Sequence, residues 1–132
     1  MSNIRLLFIE DNEAQQLAWK MIFEQLGDFK VLVAQNGVEG LEKIKENIDI
    51  IVLDMSLPKL NGIGFLDKLH TDELYEDCRN IPVVSLTVWS DLEDVREKCK
   101  QYNVELISKE KDDEHVVDKI KIILAERSKS YG

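Results

Sequence analysis

The sequence predicts an α/β fold, a doubly wound five-stranded parallel sheet with helices on both faces. Three observations carry that expectation. Five short runs rich in Leu, Ile and Val alternate with segments whose apolar residues recur at helical spacing. No internal repeat and no Gly/Ser/Pro-rich linker divides the chain. The polar groups Glu10-Asp11, Asp54, Ser85/Thr87 and Ser108/Lys109 all fall at the C-terminal ends of strand runs, the edge at which open α/β sheets bind ligands.

Each element has its own signature. Residues 4–9 form a strand, expected at the centre of the sheet because it is strongly apolar. Asp11-Asn12 can cap a helix over 13–26, with Ala14, Leu17, Ala18, Met21, Ile22 and Leu26 as its apolar stripe and Gly27 as its end. Residues 29–34 form the second strand. Asn36-Gly37 reads as a turn, and Val38, Leu41 and Ile44 mark a short helix. Residues 48–54 form the third strand, long and β-branched enough to be buried on both faces. Pro58 and Gly62 bracket a loop before a helix carrying Ile63, Phe65, Leu66 and Leu69, and Leu74-Tyr75 extend it or add a turn. Residues 82–86 are the fourth strand. Leu92, Val95, Cys99 and Tyr102 share one helix face, and residues 104–107 are the fifth strand. The last helix buries Val116, Val117, Ile120, Ile123 and Leu124, and acidic Asp112, Asp113 and Glu114 suit its N-terminus. Parallel strands joined through helices require right-handed crossovers.

The totals bound the function. A chain of 132 residues fits one domain, with a core over about 3–126, and buries a real apolar interior. With 44% hydrophobic and 33% charged residues the composition is that of an ordinary globular protein. A net charge of -9 argues against direct nucleic-acid contact as the main activity. No signal peptide and no apolar run of membrane-spanning length is present, so the expected setting is the cytoplasm, without membrane contact. Cys78 and Cys99 lack metal-ligand spacing and read as free structural thiols. His70 and His115 have no motif around them and read as solvated positions.

Asp54 is the most informative residue. If the first and third strands are neighbours, Glu10, Asp11 and Asp54 converge, and three carboxylates at one point are costly without a cation. Taken singly, each residue has a plainer role: Asp54 as a loop cap, Glu10-Asp11 as a helix cap, Thr87 and Lys109 as ordinary loop residues. Taken together, in this order, they form a chemical constellation.

That constellation resembles the response-regulator receiver domain, the phospho-acceptor module of two-component signalling. The matching pieces are Glu10-Asp11, the Asp54 strand end with Leu57-Pro58 and Gly62, the stretch Pro82-Val83-Val84-Ser85-Leu86-Thr87, and Lys109. Ala34-Gln35-Asn36-Gly37 with Val38-Glu39-Gly40-Leu41 is similar to the family's second loop and helix. The resemblance implies a flavodoxin-like strand order of 2-1-3-4-5. It implies that Asp54 accepts a phosphoryl group from a histidine kinase or phosphotransfer protein. Asp11, Asp54 and the Ser56 backbone carbonyl would ligate Mg²⁺, with Glu10 acting mainly through water. Lys109 would pair with one phosphoryl oxygen and Thr87 would donate to another. Such a protein is not a conventional enzyme, although it assists its own phosphorylation and dephosphorylation. It signals to a downstream protein that the sequence does not name, as a monomer or weak homodimer, through its fourth helix, fifth strand and fifth helix.

Three positions depart from the family. Glu110 follows Lys109 where the family usually has a cis proline; a non-proline cis bond costs about 2.5–4 kcal/mol, so a trans bond is expected. Leu106 stands where the family usually carries a switching aromatic. Val88 stands where a small residue is usual and narrows access to Asp54, and Trp89 occupies a variable position that influences the same access. With Met1 at the start and Lys129-Ser130-Tyr131-Gly132 at the end, a stand-alone receiver is expected; the alternatives are a degenerate receiver acting as a constitutive binding module and a fragment of a larger regulator. A haloacid-dehalogenase-type phosphatase requires a second Asp two residues after its nucleophile, where Ser56 stands, and a flavodoxin-like flavin carrier requires a phosphate loop where Glu10-Asp11-Asn12-Glu13 would repel phosphate.

Overall fold

Residues 4–53, 62–87, 93–108 and 112–131 are described by the computed structural model. The strands are β1 (Arg5–Ile9), β2 (Lys30–Ala34), β3 (Ile50–Leu53), β4 (Val83–Thr87) and β5 (Glu105–Ser108). They form one parallel sheet in the order β2-β1-β3-β4-β5. β1 is interior but not central as expected: β3 holds the middle, with β1 and β4 paired on either side of it, which is why Ile50, Ile51, Val52 and Leu53 are all fully buried. The helices are α1 (Glu13–Gly27), α2 (Gly37–Lys43), α3 (Gly62–Thr71), α4 (Glu93–Gln101) and α5 (Asp113–Tyr131), with a 3-10 turn at Glu73–Cys78 resolving the ambiguity around Leu74-Tyr75.

Alternate strand residues supply two cores, one on each face of the sheet. Leu7, Ile9, Ile51, Leu53 and Val83 pack with residues from α2, α3 and α4, among them Leu41, Phe65, Leu69 and Cys99. Leu6, Phe8, Val52, Val84 and Ile107 pack with Trp19 and Phe23 of α1 and with Val116, Val117 and Ile120 of α5. Phe8 and Phe23 meet edge to face at 5.6 Å, a contact worth about 0.5–1.5 kcal/mol beyond the area buried.

Asp49 falls outside β3, although the apolar run includes it. Its carboxylate accepts the Arg5 amide at 2.8 Å and its amide donates to the Arg5 carbonyl at 2.9 Å. These two bonds fix β3 against β1 at the level that places the two strand ends side by side.

Two turn assignments change. Asn36 is the N-cap of α2, its side chain accepting the Glu39 amide, and Gly37 is already helical. Gly27 is the last residue of α1, while Asp28 takes the left-handed conformation at φ 56°. Glycine is needed at 27 for space: a Cβ there would lie 2.5 Å from the Phe29 ring.

The apolar stripe of α1 is also rotated from its expected position. Trp19, Phe23 and Gly27, spaced by four residues, face the sheet, whereas Leu17 and Met21 are 65% and 50% exposed. Ala14, Ala18 and Leu26 are exposed with them, and Ile22 lies at the margin. The helix is apolar on two sides, and the larger aromatic surfaces take the buried side.

Candidate functional site: the acidic edge of the sheet

Parallel pairing sets the level of each strand end. Ile9 of β1 pairs with Leu53 of β3, so the residues immediately before Glu10 and before Asp54 lie side by side. Leu53 pairs in turn with Ser85 of β4, and Thr87 at the end of β4 pairs with Ser108 at the end of β5. The strand ends that precede the predicted site residues thus share one edge of the sheet.

At the end of β1 the chain is held closely. The Glu10 amide donates to the Ala34 carbonyl at 2.9 Å, and the Glu10 carbonyl accepts the Gln16 side-chain amide. Asn12 caps α1 by accepting the Gln15 amide at 3.0 Å, so the helix begins two residues after Asp11. Glu10 is only 1% exposed and its carboxylate accepts the Asp11 amide at 3.1 Å; Asp11 itself is exposed. One carboxylate is therefore enclosed while its neighbour faces outward at the sheet edge. Both are hard oxygen donors, the class that suits Mg²⁺ rather than a soft metal. Among the described residues no group of three His, Cys, Asp or Glu side chains comes together to hold a metal; Asp54, the expected third carboxylate, lies outside them.

Of the other predicted residues, Ser56 and Lys109 lie outside the described residues, as do Val88, Trp89 and Glu110. Thr87 is placed by its backbone at the end of β4. Ser85 is fully buried within β4, two residues short of the edge, and its hydroxyl has no partner among the described residues. Leu106 is half-buried on the sheet face that carries α3 and α4.

A second polar cluster, between α3 and α4, carries no sequence signature. The Asp67 carboxylate accepts the Tyr102 hydroxyl, and the same oxygen accepts Lys98 Nζ at 3.1 Å. The Tyr102 bond holds the Asp67 carboxyl below the usual carboxylate range and pushes the Tyr102 hydroxyl up. His70 stacks on the Tyr102 ring at 4.4 Å with the planes 3° apart, so it is not the solvated position its sequence context implied. Burial, and then the Arg79 charge, lower the His70 pKa. These residues are 31 and 35 positions apart for the Asp67 pairs, beyond any local pattern.

Comparison with known proteins decides the family. Residues 6–121 match the family described as the response regulator receiver domain. The chain belongs to that family. The receiver is 29% identical over 86 residues to chemotaxis protein CheY1 of Helicobacter pylori, a stretch covering 64% of this chain and 67% of that protein. It is 31% identical over 106 residues to a probable C4-dicarboxylate response regulator of Priestia megaterium, covering 79% of this chain and 44% of that regulator. Among solved structures it superposes on a CheY-like receiver from Methanospirillum hungatei with a TM-score of 0.82 and 26% identity, over 98% of this chain and 99% of that one. It shares its fold with the receiver domain of the sensor histidine kinase PA1611 from Pseudomonas aeruginosa, at a TM-score of 0.74 and 23% identity, over 95% of this chain and 97% of that one. That structure has a magnesium ion coordinated in its active-site cleft. The receiver's helices include none, among the described residues, long and apolar enough to cross a membrane.

Proposed function

We propose that Asp54 accepts a phosphoryl group from a histidine kinase or phosphotransfer protein and that the receiver then changes its affinity for a downstream protein. The observation that supports this reading is the pairing of Ile9 with Leu53, the residues that immediately precede Glu10 and Asp54 in the chain. An Asp54 carboxylate oxygen attacks phosphorus, the donor's nitrogen–phosphorus bond breaks, and its electron pair stays on the imidazole nitrogen. Asp11, Asp54 and the Ser56 carbonyl would hold Mg²⁺, with Glu10 acting through water. Bound there, the ion neutralises charge on the phosphoryl oxygens. Lys109 pairs with a second phosphoryl oxygen and Thr87 donates its hydroxyl to a third. Catalysis on this reading is positioning plus electrostatics.

The phosphodonor has to bring its histidine to this edge, and among the described residues α1, which starts two residues after Asp11, presents an exposed apolar surface beside it. Ala14, Leu17, Ala18 and Met21 recur there at helical spacing and face outward. We assign the donor's docking to this stripe and downstream contact to α4, β5 and α5.

Incubation with phosphoramidate or acetyl phosphate and Mg²⁺ tests the reading. An acid-labile adduct of roughly 80 Da, one phosphoryl group, is expected on the wild type and absent from Asp54→Asn. No adduct, or one that persists in the variant, rejects it.

A further inference from the structure

We propose that the Asp67–Tyr102–Lys98 cluster, with His70 stacked on the tyrosine ring, is a latch that positions α4 and reports the state of the Asp54 site to it. The coupling half of this inference rests on the phospho-acceptor role proposed for Asp54. Connectivity suggests the route. α3 begins at Gly62, after the segment that follows Asp54, and α4 begins at Glu93, after the segment that follows Thr87. Each helix is therefore the next element in the chain after one of the predicted residues, α3 after Asp54 and α4 after Thr87. The two helices are tied together: Asp67 on α3 accepts both Lys98 on α4 and Tyr102 immediately after α4. A displacement of α3 relative to α4 would load this tie.

The composition of α4 gives the tie its weight. Of its described side chains only Cys99 is buried; Arg96, Glu97, Lys100 and Gln101 are exposed and Lys98 is partly so. Over residues 96–101, where Cys99 is the one buried side chain, polar contacts bear directly on the position of the helix. Tyr102 supplies several at once: its amide donates to the Lys98 carbonyl at 3.0 Å, its hydroxyl reaches Asp67, and its ring stacks on His70 of α3. Asn103 follows in the left-handed conformation at φ 59° and turns the chain into β5. Leu106, on the same sheet face, has no hydroxyl to exchange between partners. The tyrosine hydroxyl beside α4 is available for that exchange.

Hydrogen exchange over residues 93–101 tests the latch, with beryllofluoride and Mg²⁺ as the phosphoryl mimic and mimic affinity measured separately by fluorine NMR. Tyr102→Phe retains the ring and loses the hydroxyl; Asp67→Asn loses the charge. Each is expected to speed resting exchange of α4 about tenfold, to leave α1 unchanged, to still bind the mimic, and to lose the mimic-dependent change in α4 that the wild type shows. Wild-type exchange in α4 in both variants, with and without mimic, overturns the latch. A wild type that binds no mimic overturns the phospho-acceptor reading and the coupling with it, while resting exchange still decides whether the cluster holds α4.

Discussion

Gly40 on α2 leaves the space that Ile9 fills: a Cβ at 40 would lie 2.6 Å from Ile9 Cδ1 and 3.3 Å from the Phe65 ring. Ile9 is fully buried and immediately precedes Glu10, so packing under α2 bears on the acidic edge. Gly40→Ala gains about 1 kcal/mol in helix propensity and meets an overpacking cost of about 1–3 kcal/mol. We expect a net loss of about 1 kcal/mol, read as a lower urea midpoint with an unchanged slope. An unchanged or raised midpoint would mean that Ile9 yields without cost.

The carboxylates at the sheet edge predict that the fold is strained without metal and stabilised by it. If Glu10, Asp11 and Asp54 converge, Asp11→Asn relieves repulsion and should raise the melting temperature without Mg²⁺. Mg²⁺ should then stabilise the wild type by an amount that grows with the logarithm of its concentration above the Kd, and the variant less. Melting temperatures insensitive to both changes would place the carboxylates apart.

His70 gives the fold a distinct pH dependence. Burial lowers its pKa from 6.5, so near and below that value the unfolded chain binds the proton more readily than the folded one. Stability from this group is full above the unfolded pKa and is lost as pH falls through about 6.5 toward the lowered folded value. His70→Phe retains a ring against Tyr102 and should flatten this part of the urea-midpoint profile. Equal slopes in the two proteins would show that His70 does not titrate differently on folding.

The two sides of α1 should separate stability from donor recognition. Phe23 is fully buried, and Phe23→Ala should cost about 3–5 kcal/mol. Leu17→Ser removes an exposed side chain and should change stability by less than about 0.5 kcal/mol. It should slow phosphorylation by a phosphodonor protein while leaving phosphorylation by phosphoramidate unchanged. Equal slowing with both donors would move the effect from docking to the site itself.

Thiol labelling tests the interior. Cys99 is buried on the inner side of α4 and its thiol is pushed up to about 11; Cys78 is also raised by burial. Thiolate is the reactive form, so both should resist thiol reagents near neutral pH until the protein unfolds. Rapid labelling of Cys99 in the folded protein would show that α4 opens readily.

What was legible in the sequence, and what was not, follows from the range of the forces involved. The β-branched runs and their helical intervals state the sheet order's raw material, and the acidic pair after β1 was visible because it is adjacent in the chain. The phase of α1 was misread because Leu17 and Met21 are as apolar as a core stripe requires; only competition with Trp19 and Phe23 for one sheet face decides which side is buried. Gly27 ends α1 as expected, but the left-handed residue is Asp28, and glycine stands at 27 because the Phe29 ring occupies the space a Cβ would need. The Asp67–Tyr102 bond joins residues 35 apart, and no local pattern announces it.

The chemical identity of the phosphorylated residue tests the central claim most directly. Borohydride reduces an aspartyl phosphate to homoserine, which peptide mass mapping locates. After treatment with phosphoramidate and Mg²⁺, the account predicts homoserine at position 54 and nowhere else. Homoserine at another aspartate, or Asp54 unchanged in a protein that has taken up phosphoryl, would contradict it.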